Sequence, residues 1–349
     1  MTPQKSDVLI IGGGFMGSSS AFFLRQHGRS VTLLERDQIG QYASGVNFGN
    51  VRRQGRFLGQ LELSNRSWAL WKRLPELIGE DLEFIPSGHM RVCYREDEIA
   101  ELEAYAAAPE ARELDLQVIR GKALHERFAF LGPEVKGGSY APHDGHANPR
   151  LAAPAFARAA IRAGARIEER TEVAEVQKVG GDFHVTTTDG QLFVAEQLLI
   201  TAGAWAAKLA EQFGEPVPLE PNGPQMSVTE PVPYALPTVI GVFTKIKEEV
   251  IYFPPDTTRQ HHHWRRQSQQ AGHGQPSRLF QAAKPDQSDE TDEPPDTRRR
   301  KAQHHPRLER HRELYARLAA NHGPQRQGRW PVLRLRLLRS WLPARPWCR

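Results

Sequence analysis

A glycine-rich loop between two apolar runs, near the beginning of the chain, constrains the fold more than any other feature of the sequence. Residues 6–11 form a short apolar run that predicts a buried parallel strand. Residues 12–17 follow with the spacing G-x-G-x-x-G, residues 18–27 predict a helix, and residues 30–35 predict a second strand ending in an acid. This order predicts a βαβ unit that binds a dinucleotide.

Each part of the loop has a physical task in dinucleotide binding. Gly12 permits the tight turn, Gly14 lets the backbone approach a pyrophosphate, and Gly17 lets helix and strand pack closely. Phe15 and Met16 complete the loop at the helix N-terminus, which presents free N–H groups and a positive dipole end to the phosphates. The loop is therefore predicted to hold the cofactor phosphates.

The acid that ends the second predicted strand narrows the choice of dinucleotide. Glu35 lies 23 residues after Gly12, where a carboxylate can accept hydrogen bonds from a ribose diol. The same carboxylate would repel a 2′-phosphate, so NADP is disfavoured. The motif alone does not separate FAD from NAD, and a glycine-rich turn in an ordinary βαβ unit is the simpler alternative.

Three further stretches decide between the two dinucleotides. They are residues 43–52, residues 144–173 with a helical stretch over 151–163, and residues 198–205, where an apolar strand runs into a small-residue turn. Together with the glycine loop, these stretches resemble the D-amino-acid-oxidase-like FAD-dependent oxidoreductases, which include glycine oxidase, sarcosine oxidase and its β subunit. The resemblance covers about residues 5–253.

The resemblance implies that FAD is the cofactor and adds positions to its site. Arg36 would join Glu35 around the adenosine ribose, and the backbone of Val173 would meet the adenine. The alternative for Val173 is an ordinary core valine. The resemblance also places two pairs of residues beside the rest of the cofactor, namely Ser44 and Asn47 on the flavin side and Ala202 and Gly203 closing over the dinucleotide.

The resemblance further implies the chemistry and two residues that would contact substrate. The family transfers a hydride from a carbon bearing an amine to the flavin, and water then hydrolyses the imine. Arg52 is placed like an arginine near the flavin in sarcosine oxidases, and Tyr252 lies on a predicted strand where relatives carry a ligand-facing tyrosine. Arginine suits a substrate carboxylate because its guanidinium is a bidentate donor. Alternatively, Arg52 pairs with a surface acid and Tyr252 packs in the core.

The expected fold class is α/β, with a Rossmann-like FAD-binding domain interleaved with a mostly antiparallel substrate domain. Residues 1–85 and 141–215 are assigned to the FAD-binding domain, and residues 86–140 and 216–253 to the substrate domain. The substrate is expected to be a small amino acid or amine, and the electron acceptor oxygen or a quinone. We expect a cytoplasmic protein with no transmembrane segment, no metal site, and an open choice between homo- and hetero-oligomer.

Residues 254–349 differ in composition from the rest of the chain. They contain 20 basic and 9 acidic residues, whereas residues 1–253 contain 26 basic and 32 acidic residues. The tail also contains eight of the fourteen histidines, no isoleucine, and one valine, Val332. A segment so poor in β-branched apolar residues does not easily form a sheet or a core. The C-terminal third is therefore expected to be non-native or disordered.

A shift of the reading frame explains the sequence of residues 254–349 better than a disordered or nucleic-acid-binding basic tail does. Shifted by one nucleotide with free choice of synonymous codons, residues 260–267 can encode Asn-Ile-Ile-Ile-Gly-Gly-Gly, and residues 310–325 and 328–349 can encode segments like the C-terminal part of the same family. We hypothesise one extra nucleotide near the codons for Phe253 and Pro254. The chain would then bind FAD poorly and be nearly inactive.

Three alternatives to an active flavoenzyme remain open on the sequence alone. The chain could be an inactive remnant, or it could be a nucleic-acid-binding protein that acts through basic runs such as residues 298–301. It could also be an NAD-dependent dehydrogenase that shares only the first βαβ unit. We expect no specific nucleic-acid partner, because the shifted frame leaves the basic runs without selected meaning.

Overall fold

The computed structural model describes residues 3–219, 221, 225–228, 236–246, 251–253 and 263–266. The described strands are β1 (Gln4–Ile11), β2 (Val31–Leu34), β3 (Asn50–Val51), β4 (His89–Cys93), β5 (Gln117–Arg120), β6 (Gly137–Ala141), β7 (Gly145–His146), β8 (Arg166–Glu168), β9 (Val173–Val179), β10 (Asp182–Thr187), β11 (Leu192–Ile200), β12 (Gln225–Val228), β13 (Val239–Val242), β14 (Ile251–Phe253) and β15 (His263–Arg266). The described α-helices are α1 (Phe15–Gln26), α2 (Leu61–Trp71), α3 (Leu74–Ile78), α4 (Glu96–Ala107), α5 (Gly121–Arg127), α6 (Pro149–Arg162) and α7 (Ala206–Glu211).

The first sheet has six strands in the order β8-β2-β1-β11-β10-β9. Its first four strands are parallel, and the last two are added antiparallel. The parallel strands β1 and β2 end together, with Ile11 paired to Leu34, and Ile11 is also paired to Ile200 at the end of β11. The loops that follow these three strands therefore meet at one edge of the sheet, where a dinucleotide binds in an open α/β fold.

Helices α1 and α6 cover one face of this sheet and bury its apolar side chains. Helix α6 is rich in alanine, so α1 can approach it closely, and Phe22 packs against Phe156 with ring centroids 5.9 Å apart. Pro149 begins α6 after the Asn148 side chain accepts a hydrogen bond from the Arg150 N–H. This packing fixes the direction of α1 and so positions its N-terminus.

The second sheet has seven strands in the order β12-β15-β14-β13-β4-β6-β5. Only the β13–β4 pair is parallel. Along β4, Met90 and Val92 enter an apolar core with Leu124 and Ile240, whereas His89, Arg91 and Cys93 point to the opposite face. That opposite face carries the polar groups of the candidate site.

The predicted fold class is confirmed, and most predicted elements occur with shifted ends. The helix predicted at residues 18–27 begins earlier, at Phe15, because the glycine loop is short enough for the helix to start immediately after Gly14. The division into two domains stays a prediction, although the first sheet uses residues 4–34 and 166–200 and most of the second uses residues 89–141 and 225–253.

The tail contributes one described strand, which the sequence did not predict. Strand β15 pairs with β12 and β14, so the second sheet extends beyond Phe253. The remaining residues of 254–349, including the arginine run at 298–301, lie outside the described part of the chain. Among the described residues, no helix combines the length and apolar character that crossing a bilayer requires.

Candidate cofactor and substrate site

The loop between β1 and α1 leaves no room for side chains at two of its glycines. Gly12 has a φ of 106°, and a Cβ there would lie 2.6 Å from the Thr201 carbonyl oxygen. A Cβ on Gly17 would overlap the Gly12 carbonyl oxygen and lie 2.7 Å from Thr201 Oγ1. Thr201 Oγ1 donates to the Gly12 carbonyl at 2.8 Å. Only glycine fits these two positions, and the hydroxyl of Thr201, which the sequence motifs do not indicate, holds the turn.

The N-terminus of α1 faces a serine hydroxyl. The Phe15 N–H donates to Ser44 Oγ at 2.8 Å, and a Cβ on Gly14 would lie 2.9 Å from the same oxygen. The Phe15 ring packs inward, 5.5 Å from the Phe156 ring centroid, whereas Met16 is 67% exposed. The resemblance places Ser44 on the flavin side, but its hydroxyl lies at the helix end where the phosphates are expected.

Glu35 lies directly beside the glycine loop. Its Oε2 accepts from the Gly13 N–H at 2.6 Å, and its Oε1 accepts from the Asp37 N–H at 2.9 Å. The side chain is buried, and its backbone carbonyl accepts from the Thr171 N–H at 2.8 Å. Each carboxylate oxygen has a second lone pair, so Glu35 is held in place and can still accept from a ribose diol.

Arg36 lies against two adjacent aromatic rings next to Glu35. Its guanidinium carbon lies 4.5 Å from the Trp205 ring centroid, and its Nη2 donates to Tyr42 Oη at 3.0 Å. Arg36 Nε also donates to Asp37 Oδ2 at 3.0 Å. The Tyr42 hydroxyl also donates to Asp37, and this hydrogen bond lowers the pKa of the carboxyl below its usual value. Arg36 is therefore fixed by its own neighbours at the adenosine end of the predicted site.

The segment before β9 and the turn after β11 both bond to the carboxyl ends of the parallel strands, because the Thr171 N–H donates to the Glu35 carbonyl and the Thr201 N–H to the Ile11 carbonyl, each at 2.8 Å. Val173 begins β9, and its half-buried side chain packs against the apolar core beneath it. This is the role of an ordinary core valine. Ala202 lies close to the Gly12 turn, because a Cβ on Gly12 would lie 2.9 Å from Ala202 Cα. Gly203 has a φ of 55° and begins a short 3₁₀ turn. Their contacts with FAD stay predictions.

Asn47 shapes the segment that links the cofactor loop to the substrate sheet. Its Nδ2 donates to the carbonyls of Ala43 and Ser44 at 2.9 and 2.8 Å, and its Oδ1 accepts from the Gly49 N–H at 2.7 Å. The amide thus holds a turn within residues 43–49. A contact between Asn47 and the flavin stays a prediction.

These residues fit FAD by shape and by charge. The glycine positions where a Cβ would collide with backbone form a cradle for a pyrophosphate, and the α1 N-terminus supplies a positive dipole end above it. Glu35 supplies an acceptor for an unphosphorylated ribose. The site is therefore suited to a dinucleotide with a free ribose diol.

Arg52, Arg91 and Tyr252 converge on one face of the second sheet. In the strand register Arg91 pairs with Gly241, and Gly241 pairs with Tyr252. Gly241 has no side chain, and a Cβ there would collide with the Tyr252 ring, lying 2.5 Å from its Cδ1, so the ring lies over the glycine on this face. Arg52 Nη1 and Arg91 Nη1 both approach Gly55, within 3.2 Å of the position of a Cβ there.

The converging residues adjoin the cofactor part of the molecule. The Phe48 ring, which follows Asn47, has its centroid 6.2 Å from that of Tyr252. Arg52 Nη1 donates to the Gln54 carbonyl at 2.5 Å, and Arg52 has no ion pair with a carboxylate among the described residues. The alternative in which Arg52 pairs with a surface acid is therefore not observed in this part of the chain.

A buried polar network supports the loop that carries Arg52. Arg53 Nε lies 3.2 Å from Asp144 Oδ1, with both side chains almost fully buried. Asp144 Oδ2 also accepts from the backbone N–H groups of Arg53 and Gln54 at 2.8 and 3.0 Å. The Gln54 amide in turn contacts His89 Nδ1 at 2.6 Å and accepts from Ser139 Oγ at 2.9 Å. The network fixes residues 53–54 against the second sheet.

The polar residues of the 143–146 turn have separate partners. Asp144 binds Arg53, His143 Nε2 lies 3.1 Å from Asp115 Oδ2, and His146 Nδ1 lies 3.5 Å from Ser87 Oγ. Among the described residues, no group of three or more His, Cys, Asp and Glu side chains is arranged to bind a metal ion. Asp144 therefore anchors the turn to the loop that carries Arg53.

A family model described as DAO, FAD dependent oxidoreductase, matches residues 7–346. This chain belongs to the FAD dependent oxidoreductase family. The predicted family and its FAD cofactor are confirmed, and the NAD-dependent dehydrogenase has no support. The family match extends beyond Phe253, where the resemblance by sequence motifs ends.

Among curated relatives, the chain is similar to glycine oxidase from Geobacillus kaustophilus, with 31% identity over 245 residues. This alignment covers 68% of the present chain and 65% of the relative. A component of opine oxidase from Rhizobium meliloti is 28% identical over 242 residues, which cover 66% of this chain and 65% of that protein. The chain thus spans just under two thirds of the length of both relatives.

Among solved structures, glycine oxidase from Geobacillus kaustophilus matches with a TM-score of 0.64 and 28% identity, over 74% of this chain and 70% of that one. Glycine oxidase from Bacillus cereus ATCC 14579 matches with a TM-score of 0.66 and 25% identity, over 79% and 78% of the two chains. L-proline dehydrogenase from P. horikoshii, at 24% identity and a TM-score of 0.66, covers 76% of this chain and 70% of that one and shows the same fold.

His146 gives the folded chain a predictable response to acid. Burial lowers the pKa of this imidazole to about 4, so folding favours the neutral form. The unfolded pKa is about 6.5. The stabilisation is therefore complete above about pH 6.5 and is lost as the pH falls toward 4, by up to about 1.4 kcal/mol per pH unit.

Urea unfolding at pH 7 and pH 5 measures this response. Between the two pH values, His146→Gln should lose less free energy of unfolding than the wild type. An equal loss in both would contradict this assignment, and exposed His27→Gln is the control.

Proposed function

We propose that this chain, with FAD bound, oxidises the C–N bond of a small amino acid or amine. The bound FAD would supply the acceptor for the hydride that leaves the carbon next to nitrogen. The relatives support this reaction type, because they are a glycine oxidase and a component of an opine oxidase. The electron acceptor, the oligomeric state and a cytoplasmic location stay predictions.

The chain's own residues would bind and orient the two reactants. The loop of Gly12, Gly14 and Gly17 would hold the pyrophosphate, with Glu35 on the ribose. Arg52 and Tyr252 would hold the substrate on the face of the second sheet. Holding two reactants in a productive orientation can lower a reaction barrier by about 7–11 kcal/mol.

One observation carries the proposal more than any other. Arg52 approaches Arg91 at Gly55, and Tyr252 lies two strands from Arg91 on the same face of the second sheet, beside the segment that continues from the cofactor loop. An arginine and a tyrosine placed together offer a cation and a hydroxyl, which are the groups that bind a carboxylate. The arrangement is suited to an amino acid more than to a simple amine.

A substrate panel tests the proposed reaction. The purified full chain, supplied with FAD, would be incubated with glycine, sarcosine, proline and both alanine enantiomers, with oxygen or a soluble quinone as acceptor. We expect imine-derived keto acid or aldehyde from at least one amino acid, in an amount that depends on added FAD. If the chain binds FAD but oxidises no member of the panel with either acceptor, the proposed function is wrong.

We infer that residues 254–349 impair this reaction. The inference is supported by the composition of the tail and by the family-like segments that a one-nucleotide shift restores. Deleting one nucleotide near the codons for Phe253 and Pro254 should increase FAD affinity by about tenfold or more, which is about 1.4 kcal/mol. Source DNA that cannot encode the family-like segments in either shifted frame would contradict the inference, as would equal FAD affinity in both chains.

A further inference from the structure

Two arginine side chains approach Gly55, in the loop that follows β3, without a carboxylate between them. A Cβ on Gly55 would lie 2.7 Å from Arg91 Nη1 and 3.2 Å from Arg52 Nη1. Among the described residues, neither guanidinium has an ion pair with Asp or Glu. Like charges brought together in a partly buried place repel each other unless an anion lies near both.

Arg91 differs from Arg52 in having no hydrogen bond of its own among the described groups. Arg52 Nη1 donates to the Gln54 carbonyl, whereas the described contact of the Arg91 guanidinium is with the Phe243 ring, whose centroid lies 4.3 Å from Cζ. Burial, followed by the charge of Arg52, lowers the pKa of Arg91 to about 10, while the phenol of Tyr252 acts in the opposite direction. Its N–H donors are thus directed at no acceptor in this part of the chain.

Arg91 lines an open groove of about 410 Å³. Its apolar walls are Phe57, Leu58, Leu102 and Phe243, which belong to the loop after Arg52, to α4 and to the chain after β13. The groove also contains one carboxylate, that of Glu101, but Glu101 Oε1 lies 2.5 Å from Lys245 Nζ and is therefore already paired. The lining also includes Arg56 and Tyr105, and a groove that combines apolar walls with arginine cations fits a small organic anion.

We propose that Arg91 is a carboxylate-binding residue and that the groove selects α-amino acids with an apolar side chain. This proposal rests on the proposed function, since it names the substrate class of the same site. The carboxylate would lie between Arg91 and Arg52 over Gly55, with the apolar side chain along Phe243 and Leu102. The absence of a side chain at Gly241 leaves the space in which Tyr252 adjoins the same anion.

The strand register shows that the arrangement of Arg91, Gly241 and Tyr252 depends on three neighbouring strands. Arg91 on β4 and Tyr252 on β14 lie two strands apart, on either side of Gly241 on β13. A side chain at residue 241 would displace the Tyr252 ring from its position beside Arg91, because a Cβ there collides with Cδ1 and Cε1 of that ring. A Gly241→Val variant is therefore expected to weaken carboxylate binding while the charge of Arg91 remains.

Carboxylate binding can be measured without any turnover. Benzoate is the probe, because it has a carboxylate and an apolar ring but no amine to oxidise, and benzamide is its neutral isostere. Calorimetric titration of the full chain, with and without FAD, should show one benzoate bound per chain and no binding of benzamide. We expect Arg91→Met to weaken benzoate binding by about tenfold to a hundredfold, and Arg91→Lys by less.

Arg127→Gln is the matched control, because Arg127 is an exposed arginine near the opposite face of the same sheet, where it lies over Phe128 and Tyr140. It should bind benzoate like the wild type. Equal benzoate affinity in wild type and Arg91→Met would overturn the proposal, and so would a wild type that binds no benzoate. Because binding is read without oxidation, an inactive chain that binds benzoate through Arg91 contradicts the proposed function but not this site.

Discussion

Replacing Gly17 by alanine is expected to abolish measurable FAD binding. A Cβ at this position overlaps the Gly12 carbonyl oxygen and lies 2.7 Å from Thr201 Oγ1, so α1 must move away from the end of β1. The phosphates depend on the N–H groups of that first turn, and overpacking of this kind costs about 1–3 kcal/mol in stability alone. Titration with FAD, followed by the change in flavin fluorescence, checks the result.

Gly28→Ala is the matched control for this variant. Gly28 follows the same helix with a φ of 74°, and a Cβ there has no atom within 4 Å. The substitution therefore costs only the backbone strain of a left-handed residue, about 1 kcal/mol, and should leave FAD affinity unchanged. Wild-type FAD affinity in Gly17→Ala would contradict the assignment of this loop to the phosphates.

Replacing Asp144 by alanine is expected to destabilise the fold by about 3–5 kcal/mol. The substitution leaves the buried guanidinium of Arg53 without a counter-charge and removes the acceptor of two backbone N–H groups, those of Arg53 and Gln54. The free energy of unfolding in urea measures the loss. The double variant Arg53→Met/Asp144→Leu should lose less free energy of unfolding than the sum of the losses in the two single variants, because no buried charge remains unpaired.

Glu62→Ala provides the comparison with an exposed ion pair. Arg66 Nη2 lies 2.5 Å from Glu62 Oε1, and the two side chains are 55% and 80% exposed. Loss of this ion pair should change the free energy of unfolding by only about 0–1 kcal/mol. If Asp144→Ala costs no more than Glu62→Ala, the buried network does not hold residues 53–54 in place.

The first βαβ unit could be predicted from the sequence because its determinants are local. The turn at Gly12, the close packing at Gly17 and the acid at Glu35 lie within one stretch of chain, and the motif specifies each of them. The structure adds Thr201, which contacts Gly12 from the end of β11. No local sequence pattern indicates the Thr201 hydroxyl, because its hydrogen bond to Gly12 connects two parallel strands.

The substrate side was predicted only in part, because it depends on strand register. The family resemblance indicates Arg52 and Tyr252 but does not indicate Arg91. Arg91 alternates with apolar Met90 and Val92, so it points away from the core, and this alternation was its one available signal. Its neighbours across Gly241 follow from a parallel pairing of β4 with β13, which no sequence pattern specified.

The most direct test of the account is a single turnover without any electron acceptor. The full chain saturated with FAD would be mixed anaerobically with an excess of each amino acid of the panel, and the visible flavin absorbance followed until it is constant. We predict that at least one amino acid bleaches the flavin, however slowly, and that its 2-hydroxy analogue does not. A bound flavin that stays oxidised with every amino acid would contradict the account.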